Sequence, residues 1–237
     1  MPHWSHRSLG RLSPSGTRRI VAAPQFEQKF IGPSVCYLYT KQMYVTKQSV
    51  QKKLSKREPA HLEMCRGGAA VAFVISGVDR PSLTLCVKAS HLRKHAGEVS
   101  LPGGKIESTD ESVLEAALRE LREETGLTLH GKDCIGYLNP IESLHRLSVI
   151  PCVFWSDNSL MGVPREQEIS RVFTIPIIEF LEQTPAFEVS HHRLPEVWMP
   201  KWYYDNEKIW GLTALIIRDF LQIVSTNHKL LDRPSTL

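Results

Sequence analysis

The chain has 237 residues, of which 42% are apolar, and a net charge of +4 at pH 7. This composition is that of an ordinary globular protein, and because no apolar run reaches the ~18 residues that cross a bilayer, we expect no membrane span. The five cysteines are scattered, without a CxxC pair, which argues against a disulfide scaffold or a zinc site.

Charge divides the chain into two parts. Residues 1–57 contain eleven Lys or Arg and one acidic residue, a net charge of +10, whereas the remainder carries −6. We interpret residues 1–26, which are rich in Arg and Ser and lack acids, as either a mitochondrial transit peptide or a disordered basic tail. The first interpretation predicts a mitochondrial location, with a peroxisomal or cytoplasmic location as the alternative.

Residues 27–62 form a basic N-terminal extension. Within it, residues 35–39 have the pattern of a short strand, and residues 46–57 have the pattern of a helix that ends before Pro59. The basic cluster of this helix is typical of a solvated face, with binding of nucleic acid or anionic lipid as the alternative. Its members are Lys52, Lys53, Lys56 and Arg57.

The main domain is predicted to span residues 63–225, followed by a C-terminal tail at 226–237. Apolar patterns predict strands at 69–75, 83–87, 135–138, 147–155 and 171–175, a short helix at 177–183, a hairpin at 186–199 and an apolar helix at 210–224. Pro151 interrupts the fourth strand, which suggests a β-bulge or an edge position. These elements alone indicate an α/β or α+β domain.

Residues 103–127 (GGKIESTDESVLEAALRELREETGL) contain a further helix with a strong pattern. Ser108 and Glu111 match a capping box at its start, and Gly126 supplies the stop. The glycine pair at 103–104 permits a sharp turn before the helix. Apolar residues at helical spacing predict a buried stripe formed by Leu114, Ala117, Leu118 and Leu121.

Three glutamates of this helix, Glu120, Glu123 and Glu124, fall within an arc of roughly 100°. Carboxylates at this spacing repel each other by roughly 0.2–0.5 kcal/mol per pair on a solvated helix, and a bound divalent cation would reverse that sign. Hard cations such as Mg²⁺ take oxygen ligands and keep several waters for phosphate chemistry. The pattern therefore favours a metal site, and an incidental acidic surface helix is the alternative.

The same stretch resembles the box of the Nudix hydrolase family, G-x5-E-x7-R-E-U-x-E-E-x-G-U, in which U is aliphatic. The acidic residue that aligns with Arg119 in this pattern is Glu111, so the segment between Gly104 and Arg119 is one residue longer than the pattern. This longer spacing, together with the run Ala-Leu-Arg-Glu at 117–120, is similar to the coenzyme A diphosphatase branch of the family.

Two further segments resemble that branch. Residues 92–104 (LRKHAGEVSLPGG) follow its form L-R-x-x-x-G-x-V-x-F-P-G-G with Leu101 in place of Phe, and residues 209–214 (IWGLTA) match its I-W-G-x-T-A segment. Lys88 stands where the branch usually has Arg. The resemblance covers roughly residues 66–224, and it implies an α/β/α sandwich around a mixed sheet.

The resemblance also assigns roles on the helix. Glu120 and Glu124 are implied as ligands of a metal, Mg²⁺ or Mn²⁺. Glu123 is implied as a third ligand or a catalytic group beside them. Arg119 is implied to orient the glutamates through charge-assisted hydrogen bonds.

Other implied site residues lie outside the helix. Glu168 falls in a segment that resembles the N-P-x-E-V loop of the branch, which suggests a base or an extra ligand; Glu166 or a plain surface acid are the alternatives. Arg93 and Lys88 flank the predicted pocket entrance before the turn at Gly103 and Gly104, and we expect all four to bind the substrate, the two cations through its phosphates.

The function favoured by these resemblances is metal-dependent hydrolysis of coenzyme A or acyl-coenzyme A to 3′,5′-ADP and 4′-phosphopantetheine or its acylated form. One alternative is a Nudix diphosphatase for ADP-ribose, NADH or another nucleoside diphosphate; a second is a non-catalytic module that binds RNA or protein. We expect a small-molecule partner rather than nucleic acid. The aromatic cluster of Trp198, Trp202, Tyr203 and Tyr204 predicts a core contact or a homodimer contact, with stacking on an adenine as the alternative.

Overall fold

A computed structural model describes residues 45–54, 67–143, 146–165, 167–190 and 197–225. Outside these residues lie the predictions for the basic tail or transit peptide, the strand at 35–39, the end of the first helix, Glu166 and the C-terminal tail. Among the described helices, none is long and apolar enough to cross a membrane.

The described residues form four α-helices and eleven strands. The helices are α1 (Lys47–Leu54), α2 (Val113–Thr125), α3 (Ile177–Glu182) and α4 (Gly211–Val224). The strands are β1 (Ala69–Ser76), β2 (Ser82–Lys88), β3 (Val99–Ser100), β4 (Gly103–Lys105), β5 (Cys134–Tyr137), β6 (Ile141–Glu142), β7 (Ser148–Ser156), β8 (Ile169–Pro176), β9 (Ala186–Ser190), β10 (Val197–Tyr204) and β11 (Glu207–Ile209). The elements predicted for these residues are present, whereas β3, β4, β6 and β11 are too short to show a pattern in the sequence.

Eight strands form one mixed sheet around β1, as expected. β1 runs parallel to β7 and antiparallel to β2 and β4. β1 and β2 pair with each other only at residues 75–76 and 82–83. Farther along, β3 pairs with β2 and β4 pairs with β1. β3 and β4 are therefore inserted where the two long strands separate, and the glycine pair at 103–104 begins β4.

Helices cover both faces of this sheet, which confirms the α/β/α sandwich. Ala70, Ala72 and Val74 of β1 belong to a buried cluster with α2. Phe73 points to the other face, where its ring centroid lies 4.6 Å from that of Phe220 in α4. The alternation follows from the two-residue period of a strand.

The separate sheet of β9, β10 and β11 confirms the predicted hairpin and adds a third strand to it. Trp202 of β10 is buried, with its ring edge-on to Phe180 at 5.8 Å. The predicted core contact is thus confirmed for Trp202, while Tyr203 is exposed.

Helix α1, which the charge pattern assigned to the basic extension, packs against the main domain. Val50 and Leu54 are fully buried, and a Cβ added to Gly136 of β5 would lie 2.7 Å from the Leu54 Cβ. Lys52 and Lys53 are exposed, as expected for a solvated face. Lys53 Nζ also donates a hydrogen bond to the Val224 carbonyl at 3.4 Å.

The edge position suggested for Pro151 is wrong, because β7 lies between β1 and β5. Proline is tolerated there because Pro151 lies where the neighbouring strand changes from β5, which ends opposite Cys152, to β6, which begins opposite Val149. No ladder donor is needed at that point. The irregularity occurs on the partner strand, where the register of β5 shifts between Cys134 and Gly136.

Candidate active site

Helix α2 begins four residues later than the predicted capping box. Its N-cap is Ser112, whose side chain accepts a hydrogen bond from the Glu115 N–H at 3.1 Å. The cap predicted at Ser108 is wrong because the preceding residues form a turn, in which the Glu107 N–H donates to the Asp110 carboxylate at 2.8 Å. At the other end, Gly126 has φ of 69° and stops the helix, as expected.

The buried stripe of α2 differs partly from the predicted one. Ala117 and Leu121 are fully buried, whereas Leu114 and Leu118 are only partly buried. The stripe instead includes Val113, Ala116, Glu124 and Thr125. A carboxylate therefore lies on the side of the helix that faces the sheet.

Glu124 is the most buried of the three glutamates, with 3% of its side chain exposed. Its Oε1 lies 2.5 Å from Lys88 Nζ, and its Oε2 accepts the Gly103 N–H at 3.1 Å. Burial raises the pKa of Glu124, and the charge of Lys88 opposes that rise. The structure thus brings together Glu124, Lys88 and Gly103, three residues predicted at the site.

Glu120 lies one turn earlier against the second glycine. A Cβ added to Gly104 would come within 2.4 Å of Glu120 Oε1, so only glycine leaves room for this carboxylate. Burial raises the pKa of Glu120, while a hydrogen bond from Arg119 opposes the rise. The two glycines therefore serve different glutamates: Gly103 donates to Glu124, and Gly104 makes space for Glu120.

Arg119 holds two of the three glutamates. Its Nη1 lies 2.9 Å from Glu120 Oε1 and 3.2 Å from Glu123 Oε2. The remaining donors form a fork on Asp110, with Nε 3.0 Å from Oδ1 and Nη2 2.9 Å from Oδ2. Such paired, charge-assisted bonds fix the guanidinium plane. The contacts are those expected of an orienting residue, whereas a catalytic role for Arg119 stays a prediction.

Asp110 is the functional residue that the sequence interpretation missed. The acid expected from the family pattern was Glu111, counted back from Arg119, but Glu111 is exposed. Counting forward from Gly104 leads to Asp110 instead. The inserted residue therefore lies between Asp110 and Arg119, and Arg119 still contacts an acidic residue at the position counted from Gly104. Hydrogen bonds from Arg119 lower the pKa of Asp110.

The remaining predicted residues, Glu168 and Arg93, make no contact with the three glutamates that the described hydrogen bonds show. The Glu168 carbonyl accepts the Ala89 N–H at 2.8 Å, next to the pairing of Lys88 with Ile169. The Glu168 side chain is exposed, and its role as base or ligand stays a prediction. Arg93 is also exposed, in the loop that follows β2.

The donor set fits a hard divalent cation. Two carboxylates lie one turn apart beside the glycine turn, and the Lys88 ammonium already stands as a cation against one of them. Among the described residues, no group of three or more His, Cys, Asp or Glu side chains is arranged to hold a metal ion. Mg²⁺ does not require one, because it usually binds one or two carboxylates and retains waters.

The described residues form an α/β/α sandwich in which two largely buried glutamates of α2 lie against a pair of glycines. A model of the NUDIX domain matches residues 66–201, which is more than half of the chain. The chain belongs to the Nudix hydrolase family, whose members generally use divalent metal ions and bind small nucleotide substrates.

Relatives by sequence carry the same family name. The chain is 34% identical over 175 residues to Nudix hydrolases named NudL, described as uncharacterised, from Salmonella typhimurium and Salmonella typhi. The alignment covers 72% of this chain and 90% of each relative.

Solved structures show more distant likeness. A MutT/nudix family protein from Enterococcus faecalis is 14% identical with a TM-score of 0.45, over 82% of this chain and 78% of that one. The MutT protein from Methanosarcina mazei is 26% identical with a TM-score of 0.39, over 49% and 81% respectively. The family assignment rests on the domain match and the NudL relatives.

Proposed function

We propose that this Nudix hydrolase cleaves the diphosphate of coenzyme A or acyl-coenzyme A, giving 3′,5′-ADP and 4′-phosphopantetheine or its acylated form. The observation that carries the proposal is one hydrogen bond. Thr213 Oγ1 donates to the Val99 carbonyl at 3.2 Å. Val99 lies in the segment 92–104 and Thr213 in the segment 209–214, which are the two segments that resemble the coenzyme A branch beyond the box.

These two segments meet beside the acidic centre. Val99 pairs with Val87 in β2, which immediately precedes Lys88, the partner of Glu124. The first segment also contains Gly103, whose N–H donates to Glu124, so a substrate bound along this segment would reach the glutamates.

The proposed roles follow the contacts. Glu120 and Glu124 hold Mg²⁺ or Mn²⁺, with Glu123 beside them. A divalent cation offsets charge on the diphosphate oxygens and lowers the pKa of bound water. Arg119, fixed by Asp110, keeps two carboxylates in place. The half-exposed Glu123, or Glu168 at the rim, accepts a proton from water.

Cations at the rim complete the proposed substrate site. Arg93 and Lys88 bind phosphate oxygens, since a coenzyme A substrate carries a 3′-phosphate beside its diphosphate.

The N-terminal residues 1–26 would direct the enzyme to mitochondria. Fusion of these residues to a fluorescent protein tests that location, and diffuse cytoplasmic fluorescence would contradict it.

The test of function compares hydrolysis of coenzyme A, ADP-ribose and NADH with Mg²⁺ or Mn²⁺. Wild type, Glu124→Gln and the exposed control Glu111→Gln are measured together. We expect preference for coenzyme A, a loss of turnover by orders of magnitude in Glu124→Gln, and no change in the control. Activity on ADP-ribose or NADH alone would support diphosphate hydrolysis but contradict coenzyme A as the substrate.

A further inference from the structure

The ion pair of Lys88 and Glu124 joins β2 to α2 across 36 positions of the chain. Only 19% of the Lys88 side chain and 3% of the Glu124 side chain are exposed. Glu124 Oε1 faces Lys88 Nζ at 2.5 Å, and Oε2 accepts the Gly103 N–H. Both oxygens of the carboxylate therefore have a partner from the protein itself.

A metal ion bound to Glu124 would meet this lysine. Divalent cations such as Mg²⁺ bind carboxylate oxygens at ~2.1 Å, so the metal and the ammonium on one oxygen would lie within about 5 Å of each other. Positive charges this close repel strongly in a buried site, because little water screens them. Metal binding and the Lys88 contact are consequently in competition for the same carboxylate.

We propose that Lys88 is the counterion of Glu124 in the metal-free protein. When the metal binds Glu124, the Lys88 ammonium leaves this carboxylate and binds the diphosphate of the substrate. This inference rests on the proposed function, because it takes Glu124 as a metal ligand. Before the metal binds, Lys88 neutralises a carboxylate whose negative charge would otherwise be buried without an opposite charge beside it. A lysine suits such an exchange, since its ammonium is a point charge on a flexible stem, whereas the fork of an arginine binds a carboxylate through two bonds.

The exchange links two binding events. Metal loading frees the ammonium, and a substrate diphosphate stabilises the freed ammonium away from Glu124. Each ligand therefore raises the affinity for the other, as linkage requires of any coupling between two sites. A lysine at position 88 therefore lets one side chain interact in turn with the carboxylate and with the diphosphate.

The first test measures Mn²⁺ affinity by calorimetry on the full chain without substrate. Lys88→Met removes the competing charge, and Lys94→Met is the matched control, because Lys94 is exposed in the adjoining loop. We expect Lys88→Met to bind Mn²⁺ about tenfold more tightly, at the low end of the coupling measured for close charge pairs. Equal affinities of Lys88→Met and wild type would overturn the inference.

Glu124→Gln separates this inference from the proposed function. If this variant binds Mn²⁺ as tightly as wild type, Glu124 is not a ligand and the metal assignment fails. If it loses Mn²⁺ while Lys88→Met matches wild type, the metal assignment stands and only the exchange is rejected.

The second test follows Lys88 in the unaltered protein, in case Lys88→Met does not fold. Lysine is labelled with ¹³C at Cε, and the Lys88 resonance is assigned by its absence from Lys88→Arg. We expect this resonance to shift as Mg²⁺ is added and to shift again with methylenediphosphonate, while the Lys94 resonance stays in place. A Lys88 resonance that does not move at Mg²⁺ concentrations that displace Mn²⁺ in a separate calorimetric titration would overturn the inference.

Discussion

Strand β1 contributes side chains of different size to the two faces of the main sheet. Toward α4, the rings of Phe73 and Phe220 fill the space between sheet and helix. Toward α2, Ala72 of the sheet and Ala116 of the helix are both fully buried. Small side chains let α2 lie close to the sheet, so that Glu124 reaches the Gly103 N–H.

The two faces therefore have different roles: the α4 face mainly stabilises the fold, and the α2 face positions the carboxylates. Large rings on the α4 face bury much apolar area, which stabilises the fold. The small side chains on the α2 face bury less apolar area. They hold the backbone of α2 close to the sheet, where its carboxylates contact the glycine pair. Substitutions on the two faces should therefore have different consequences, and the following experiments test that expectation.

The largest effect on stability is expected for Phe220→Ala on the α4 face. Removing a buried ring leaves a cavity and typically costs about 3–5 kcal/mol. Urea unfolding measures the loss. Turnover per folded molecule should stay near that of wild type, because α4 contributes no carboxylate to the centre. A large fall in turnover at full folding would contradict the separation of the two faces.

On the α2 face, Gly104→Ala should act on metal binding. The added Cβ would lie 2.4 Å from Glu120 Oε1, so the carboxylate must move. We expect affinity for Mn²⁺ to fall about 10–100-fold, as when groups that orient metal ligands are removed. Gly131→Ala is the matched control, since its Cβ meets only Leu114 at an ordinary 3.6 Å. Similar affinities in both variants would show that Glu120 needs no space at Gly104.

Asp110→Asn tests the two hydrogen bonds that Arg119 donates to the Asp110 carboxylate. We expect turnover to fall about tenfold, because Arg119 is less firmly held against Glu120 and Glu123. Rates on coenzyme A measure this, with Glu111→Gln as the unaffected control. A rate equal to that of wild type would mean that Arg119 is positioned without Asp110.

The same variant has a signature in the pH dependence of stability. Arg119 lowers the folded-state pKa of Asp110, so Asp110 contributes stability above its unfolded-state value of ~3.9 that is lost as the pH falls through the lower folded value. Melting temperatures from pH 7 to pH 3 should therefore show wild type converging on Asp110→Asn in acid. A constant difference across this range would contradict the charged pair.

The smallest effect is expected at the rim. Arg93→Ala should raise KM for coenzyme A up to about fivefold, because an exposed ion pair contributes at most ~1 kcal/mol. KM for dephospho-coenzyme A should change less, and Lys94→Ala should change neither. Equal effects on both substrates would remove Arg93 from recognition of the 3′-phosphate.

Much of the fold follows from periodicity, and the exceptions have local causes. The apolar runs at β1 and α4 allow few alternatives. The start of α2 was missed because Ser108 and Ser112 are each followed three residues later by a glutamate, so the cap pattern occurs twice. The turn before the helix, in which the Glu107 N–H donates to Asp110, decides between them, because it leaves Ser112 as the cap.

The site was predictable where its residues share one helix. Glu120, Glu123 and Glu124 are neighbours by helical geometry, and the glycine pair precedes them at short distance. The contact of Lys88 with Glu124 was not predictable, because it depends on how β2 is aligned with α2 across the sheet. Sequence patterns identify such residues singly, whereas the tertiary fold alone shows that one neutralises the other.

Helix α1 has a practical consequence for preparing shortened proteins. A protein that starts at residue 63, the predicted start of the main domain, would lack Val45, Val50 and Leu54, each of which is at most 5% exposed. Their removal would open an apolar groove along β5 and α4, and uncovered apolar surface promotes aggregation. Soluble protein for the experiments above should therefore begin before residue 45, since this short basic helix closes the hydrophobic core.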